Sequence, residues 1–290
     1  MNRREFIATS VGVTAAALLG RLPGASAALT TKRYASDRLQ LGPMKVPVTR
    51  LAMGTGTNGY GGSSDQTREL GLGGVADLLE AALDGGVTFW DSADQYGSHP
   101  HLKEALKRVP REKVTILTKT HASTEKEAIA DLDRFRREIG TDYLDILLLH
   151  CMMDDRWPEQ KKGAMAAIEE AREKGIVKTH GVSCHTLGAL KAAAASPWVQ
   201  VDLARVNPAG MIMDADVPTV LSVLRQMKAS GKGIIGMKIL GAGGLSNRVN
   251  EALQFALSLD CIDCFTIGSE SRGQFEDLIK RIPAASARAA

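Results

Sequence analysis

Four side chains with the makings of acid–base chemistry stand at or just past the ends of apolar runs. Asp91 and Tyr96 share the segment Asp91-Ser92-Ala93-Asp94-Gln95-Tyr96-Gly97, Lys119 lies in Thr118-Lys119-Thr120-His121, and His150 lies in Leu148-Leu149-His150-Cys151. A free tyrosine, with a pKa of about 10, is a poor acid near neutrality. A neighbouring ammonium favours tyrosinate and lowers that value, and a carboxylate beside the ammonium keeps it charged and oriented. A neutral imidazole can hydrogen-bond a carbonyl. Such a set can protonate an oxygen while hydride reaches the adjoining carbon. Each residue alone has a plainer explanation. Asp91 and Lys119 would serve as a buried ion pair, Tyr96 as a loop aromatic, His150 as a satisfied core histidine. All of these at once is the weaker account, because lone buried charges are costly.

The elements that must position these residues repeat along the chain. Eight apolar runs read as strands: Val48–Gly54, Val87–Ser92, Val114–Thr118, Asp145–His150, Val177–Ser183, Val199–Val206, Ile234–Ile239 and Asp263–Ile267. Most are continuous in Val, Ile, Leu or Met, as strands covered on both faces are. Helical patterns lie between them, at Val75–Leu83, Gly163–Lys174, Val217–Ser230, Asn247–Leu259 and Gln274–Arg281. Thr124 and Glu127 form a capping-box pair ahead of Ala128, Ile129, Leu132, Phe135 and Ile139 on one face. Gly85, Gly140, Gly175 and Gly231 stand where helices stop. The alternation predicts either a closed (β/α)₈ TIM barrel or a doubly wound sheet. Even strand spacing favours the barrel, and Arg33–Pro47 reads as a short N-terminal β-hairpin plugging its bottom. Gly54-Thr55-Gly56-Thr57-Asn58-Gly59 looks like a dinucleotide-binding fingerprint, but a glycine-rich loop follows it where a helix should begin. In such a barrel the C-terminal strand ends form the active face.

On these residues the chain resembles the aldo-keto reductase superfamily. The Asp91–Gly97 segment is similar to that family's second-strand signature, and Lys119 and His150 fall at its third- and fourth-strand catalytic positions. Leu51–Gly56, Gly181-Val182-Ser183 and Val206-Asn207-Pro208 match as well, so the likeness runs from about Arg33 to Ile282. It implies an NAD(P)H-dependent oxidoreductase that reduces an aldehyde or ketone, sugar-like or otherwise small. Tyr96 would be the general acid, tuned by Lys119 and Asp91, with His150 orienting the carbonyl.

The resemblance also assigns cofactor contacts. They are Gly54 and Thr55; Ser183 and Cys184; Met237, Lys238, Leu240, Gly241 and Gly243; and Gly268, Ser269, Arg272 and Gln274. Ser183 matches the residue that binds the nicotinamide amide, whereas Cys184 stands where the family usually has an amide side chain. The sixth-strand glutamine of many members is replaced by Leu203 or Asp202. Met237 would lie near the nicotinamide, and the backbone of Lys238–Leu245 would wrap a pyrophosphate. Only Arg272 in the last segment is basic, and Glu270 would repel a 2′-phosphate, so NADP and NAD both stay open.

Substrate-binding residues are less defined. Gly59–Gly73 reads as a flexible loop; Met152, Met153 and Trp157 are candidates for a pocket wall; Trp90 reads as core; His121 and His185 are either solvated or functional. Two rival functions fit the same pattern. A metal-dependent hydrolase barrel would use His99-Pro100-His101, although no carboxylate clearly completes that set and the sequence predicts no metal site. A non-catalytic barrel would bind a nucleotide without turning it over.

Composition sets the remaining bounds. The chain has 290 residues, 44% hydrophobic and 24% charged, with a scattered net charge of +3 that argues against a nucleic-acid partner. Its start has the form of an export signal: paired Arg3 and Arg4, a mild apolar stretch from Val11 to Leu19, and Ala25-Ser26-Ala27 as a cleavage site. That stretch is too short for stable membrane insertion. The sequence therefore predicts a twin-arginine (Tat) signal peptide over 1–27, a barrel over 28–282 and a frayed tail over 283–290. The Tat export machinery would be a partner, besides a small carbonyl substrate, and the location periplasmic or otherwise exported. Cys151, Cys184, Cys261 and Cys264 are expected to be unpaired, since residues three apart on a strand face opposite ways.

Overall fold

The computed structural model describes residues 32–286, so the expected signal peptide lies outside the described residues, as does the end of the expected tail. Parallel strands close into a barrel with a hairpin beneath it. The hairpin is β1 (Arg38–Leu41) and β2 (Val46–Thr49), paired antiparallel from Arg38↔Thr49 to Leu41↔Val46. The barrel strands are β3 (Leu51–Gly54), β4 (Phe89–Asp91), β5 (Thr115–Thr120), β6 (Leu144–Met152), β7 (Val177–Cys184), β8 (Val201–Arg205), β9 (Gly233–Met237) and β10 (Cys264–Gly268), with β10 pairing β3 to close the ring. The helices are α1 (Asp65–Glu69), α2 (Gly71–Asp84), α3 (His99–Leu106), α4 (Glu125–Ile139), α5 (Trp157–Gln160), α6 (Lys162–Glu173), α7 (Leu187–Ala195), α8 (Val217–Ala229), α9 (Val249–Ser258) and α10 (Arg272–Ser286).

Two apolar layers follow from strand alternation. Ala52, Phe89, Leu117, Ile146, Leu148, Val201 and Ile235 face inward, and Leu41, Val46 and Val48 of the hairpin pack with them from below. The expected plug is therefore present, and it fills the barrel bottom with apolar side chains. Trp90, Ile116, Leu147, Leu149, Val182 and Ala204 face outward against the helices, so Trp90 is core as expected. Cys261 belongs to the outer layer and Cys264 to the inner one, and all four cysteines are free.

Several boundaries differ from the sequence reading. The run Val48–Gly54 is two strands, because Thr49 Oγ1 accepts from the N–H groups of Thr88 and Phe89 and donates to the Leu51 carbonyl, turning the chain at Arg50. β6 runs past His150 to Met152 through a register shift, with Cys151 in the left-handed region at φ 61°. The Thr124–Glu127 capping box forms, and Gly140 ends α4 at φ 77°, but Ile129 is 46% exposed rather than on the buried face. After α2 the left-handed residue is Gly86, not Gly85. Within Gly59–Gly73, expected to be flexible, α1 is an ordered helix capped by Ser64. The last helix continues past Ile282 to Ser286 with Ala285 buried, so the expected frayed tail does not begin at 283. Among the described residues no helix is long and apolar enough to cross a membrane.

Candidate active site

The four expected catalytic residues converge at the C-terminal mouth. Asp91 ends β4, Lys119 lies near the end of β5, and His150 lies on β6. Tyr96 sits on a 3₁₀ turn, Asp94–Tyr96, that left-handed Gly97 closes. Lys119 is wholly buried: its Nζ donates to Asp91 Oδ1 at 2.5 Å and to the Ser92 carbonyl at 2.7 Å, and it lies 3.5 Å from the Tyr96 hydroxyl. His150 meets the Tyr96 ring edge-on at a centroid separation of 5.7 Å.

Burial and charge set the protonation states. Burial would lower the Lys119 pKa, but Asp91 and Tyr96 more than offset it, and the ammonium is held above its ordinary value. The Tyr96 phenol moves the other way from the sequence expectation. Burial pushes it above its ordinary value, and Lys119 offsets this only in part. The hydroxyl therefore stays protonated, as a proton donor must. Burial, aided by Lys119, drives His150 well below its ordinary value, so the imidazole is neutral. His150 Nδ1 is buried without a partner. A bare lone pair there costs less than a stranded N–H, which puts the proton on Nε2, free to donate.

Above these residues opens a cavity of ≈ 880 Å³, large enough for a dinucleotide and a small substrate. Gly54, Ser183, Met237, Lys238, Leu240, Gly243, Gly268, Ser269 and Gln274 of the expected cofactor set line it. Four others do not. Thr55 Oγ1 is turned to the Asp91 carbonyl and to Ser98 Oγ. Cys184 points into the helix-side layer, as alternation from inward-facing Ser183 requires. Gly241 is buried against Met211 and Leu245, and Arg272 pairs outward with Glu276. Leu203, not Asp202, takes the sixth-strand place on the wall. The suggested pocket wall of Met152, Met153 and Trp157 is also not found: Met152 and Trp157 are core, and Met153 is 59% exposed.

Of the two open histidines, His185 lines the cavity with Nδ1 3.2 Å from Cys151 Sγ, and burial lowers its pKa to about 4. His121 binds the Gln95 side chain at 2.6 Å beside His150 and is not part of the wall. Asp277 and Arg281 line the outer end of the cavity and were missed. They follow Gln274 at i+3 and i+7, so the helical face begun by Gln274 carried the signal.

The cavity suits a dinucleotide. Thr266 Oγ1 and Ser269 Oγ are buried without partners in its wall. The Lys238 ammonium makes no ion pair among the described residues, and Lys238 is held in the left-handed region at φ 56° with its carbonyl taken by the Asn207 amide. Free hydroxyls, an unpaired ammonium and glycines allowing close backbone approach are the chemistry that holds phosphate and ribose. For the metal rival, Asp94, His99 and Glu138 do bring one ligand atom each within 4.8 Å of one another. Arg134, however, pairs with both carboxylates, and both His99 nitrogens are engaged, with Glu138 and Thr118. The guanidinium already supplies the positive charge there.

The (β/α)₈ barrel thus carries this tetrad at the mouth of a nucleotide-sized cavity. Residues 52–259 match the aldo/keto reductase family, and the chain belongs to it. It is 24% identical over 202 residues to D-threo-aldose 1-dehydrogenase of a Pseudomonas species, covering 58% of this chain and 60% of that protein. It is 32% identical over 149 residues to NAD/NADP-dependent indole-3-acetaldehyde reductase of Schizosaccharomyces pombe, covering 49% of each. The chain thus spans about half the length of these relatives. The solved holo form of an aldo-keto reductase from Bacillus halodurans has the same fold, with a TM-score of 0.70 at 16% identity over 88% of this chain and 97% of that one.

Proposed function

We propose that the protein reduces a small aldehyde or ketone with a nicotinamide cofactor, using Tyr96 as general acid. The observation that carries this reading is the placement of Tyr96 Oη 3.5 Å from the Lys119 ammonium, itself fixed on Asp91 at 2.5 Å. The names of the relatives, an aldose dehydrogenase and an indole-3-acetaldehyde reductase, fit carbonyl chemistry of this kind.

A bound nicotinamide supplies hydride to the carbonyl carbon. The protein does the rest. His150 Nε2–H orients the carbonyl oxygen toward Tyr96. As charge grows on that oxygen, Tyr96 gives up its proton, and Lys119 steadies the tyrosinate left behind. Asp91 keeps Lys119 charged within a site that would otherwise favour its neutral form. Ser183, whose hydroxyl accepts from the Cys151 N–H at 2.9 Å, would hold the nicotinamide amide, and Met237 would lie against the ring. Lys238, Leu240, Ala242 and Gly243 would line the pyrophosphate, and Ser269, Glu270 and Gln274 the adenosine end.

That outer end favours NAD over NADP. Glu270 and Asp277 both line it, Arg281 is paired with Asp277, and Arg272 is turned away. A 2′-phosphate would meet two carboxylates and no free guanidinium, whereas ribose hydroxyls would find acceptors.

Tyr96→Phe tests the mechanism. It should remove most turnover of a small aldehyde such as methylglyoxal while NADH still binds; near-normal kcat would show that Tyr96 is not the acid. The reading also includes export through the Tat machinery, supported by Arg3, Arg4 and the Ala25-Ser26-Ala27 site. Arg3→Lys with Arg4→Lys should trap the protein in the cytoplasm, and unchanged distribution would end that part of it.

A further inference from the structure

The loop after β3 carries two glycines whose conformations do not explain them. Neither Gly56 nor Gly59 is in the left-handed region, so a positive φ is not what calls for glycine there. What they share is the ring of Tyr96. A Cβ on Gly56 would fall 2.3 Å from Tyr96 Cε2 and 2.5 Å from Cδ2 and Cζ. A Cβ on Gly59 would fall 2.3 Å from Cδ1 and 2.9 Å from Cε1. The two bare Cα atoms therefore lie against one phenol ring, Gly56 beside Cε2 and Gly59 beside Cδ1.

The loop cannot retreat to make room. The buried Gln66 side chain of α1 accepts from the Thr57 N–H at 3.0 Å and donates to Thr57 Oγ1 at 2.6 Å. Asn58 is tied to Asp65 at 2.6 Å, and the Gly62 N–H donates to the Gln95 carbonyl at 2.9 Å, docking the loop onto the turn that bears Tyr96. Beyond the ring, the Lys119 ammonium lies 4.7 Å from its centroid.

We propose that Gly56 and Gly59 are positioning residues for Tyr96, forming a slot that fixes its hydroxyl toward Lys119 and the substrate oxygen. The role rests on the reading of Tyr96 as general acid. A methyl at either position moves the ring rather than the anchored loop. A ring turning on its own side chain relieves the contact at little cost to the fold. A displacement of about 1 Å at a reacting group can cost about a hundredfold in rate. The signature is thus loss of activity without loss of stability.

Gly56→Ala and Gly59→Ala are compared with Gly73→Ala, where an added methyl meets nothing within 4 Å. The expected result is a fall in kcat for methylglyoxal with NADH of about a hundredfold in the first two and none in the third. NADH affinity and unfolding midpoint should hold, and the Tyr96 phenol titration, read as ultraviolet difference against Tyr96→Phe, should shift. Adding Gly59→Ala to Tyr96→Phe should cost nothing further in residual rate. Wild-type kcat with an unshifted phenol titration would overturn the proposal, as would a Gly59→Ala loss that persists in the Tyr96→Phe background. If the wild-type protein turned over no carbonyl, the functional reading would fall, and the phenol titration would still decide whether the slot sets the ring.

Discussion

Lys119 and Asp91 form a buried ion pair, Nζ to Oδ1 2.5 Å, with the two side chains 0% and 8% exposed. Such a pair need not stabilise the fold, but removing one member strands the other at a cost of about 3–5 kcal/mol. Asp91→Ala should therefore lower both stability and turnover. Asp91→Leu with Lys119→Met should recover much of the stability and none of the turnover. Denaturant unfolding together with steady-state kinetics separates the two effects. Full activity in the double variant would remove the pair from the mechanism.

The pH dependence of reduction follows from Tyr96. Its phenol is held above the ordinary value of 10.0, chiefly by burial, so the donor stays protonated across neutral and mildly alkaline pH. His150, driven well below 6.5, stays neutral over the same span. The kcat for reduction should be flat from pH 7 to 9, and its alkaline limb should fall above pH 10. A rate-limiting group titrating near neutrality would contradict this assignment.

Cofactor choice is a separate prediction. Calorimetric titration should show NADH binding more tightly than NADPH. Glu270→Lys should narrow the gap by about tenfold, the equivalent of about 1.4 kcal/mol, by replacing a repulsive charge with an attractive one. Tighter binding of NADPH to the unaltered protein would refute the reading of the outer cavity.

The convergence of the candidate catalytic residues was legible in the sequence because strand ends mark the barrel mouth, and Asp91, Lys119 and His150 are all on strands. The lining of the cavity was legible only in part. Thr55 and Cys184 adjoin cavity-lining residues, but alternation turns one toward Ser98 and the other toward the helices. Segment matching without a face assigned to each residue could not separate them. The direction of the Tyr96 shift was missed for another reason: Lys119 is visible in the sequence, whereas the depth of burial that outweighs it is a product of the closed barrel. Gly56 and Gly59 read only as part of a fingerprint-like segment and the start of a flexible loop, because the contact that requires glycine comes from a ring about forty residues away.

Asp202 offers a test of the fold apart from the site. It lies on β8, fully buried, with neither carboxylate oxygen hydrogen-bonded well. The Cys184 thiol and Lys232 favour its charge only weakly, so burial, with Asp214 nearby, raises its pKa to about 8. In the unfolded chain it titrates near 3.8. Between those values the folded state holds a proton that the unfolded state has lost. Stability contributed by this group is therefore full below about pH 4 and declines as pH rises toward 8, with a limiting slope of about 1.4 kcal/mol per pH unit. Asp202→Asn removes that dependence. The variant should unfold at a higher temperature than the unaltered protein at pH 8, and the difference should shrink as pH falls to 5. A difference that stays constant from pH 5 to 8 would mean that Asp202 is charged in the folded protein, with Lys232 or an ordered water serving it.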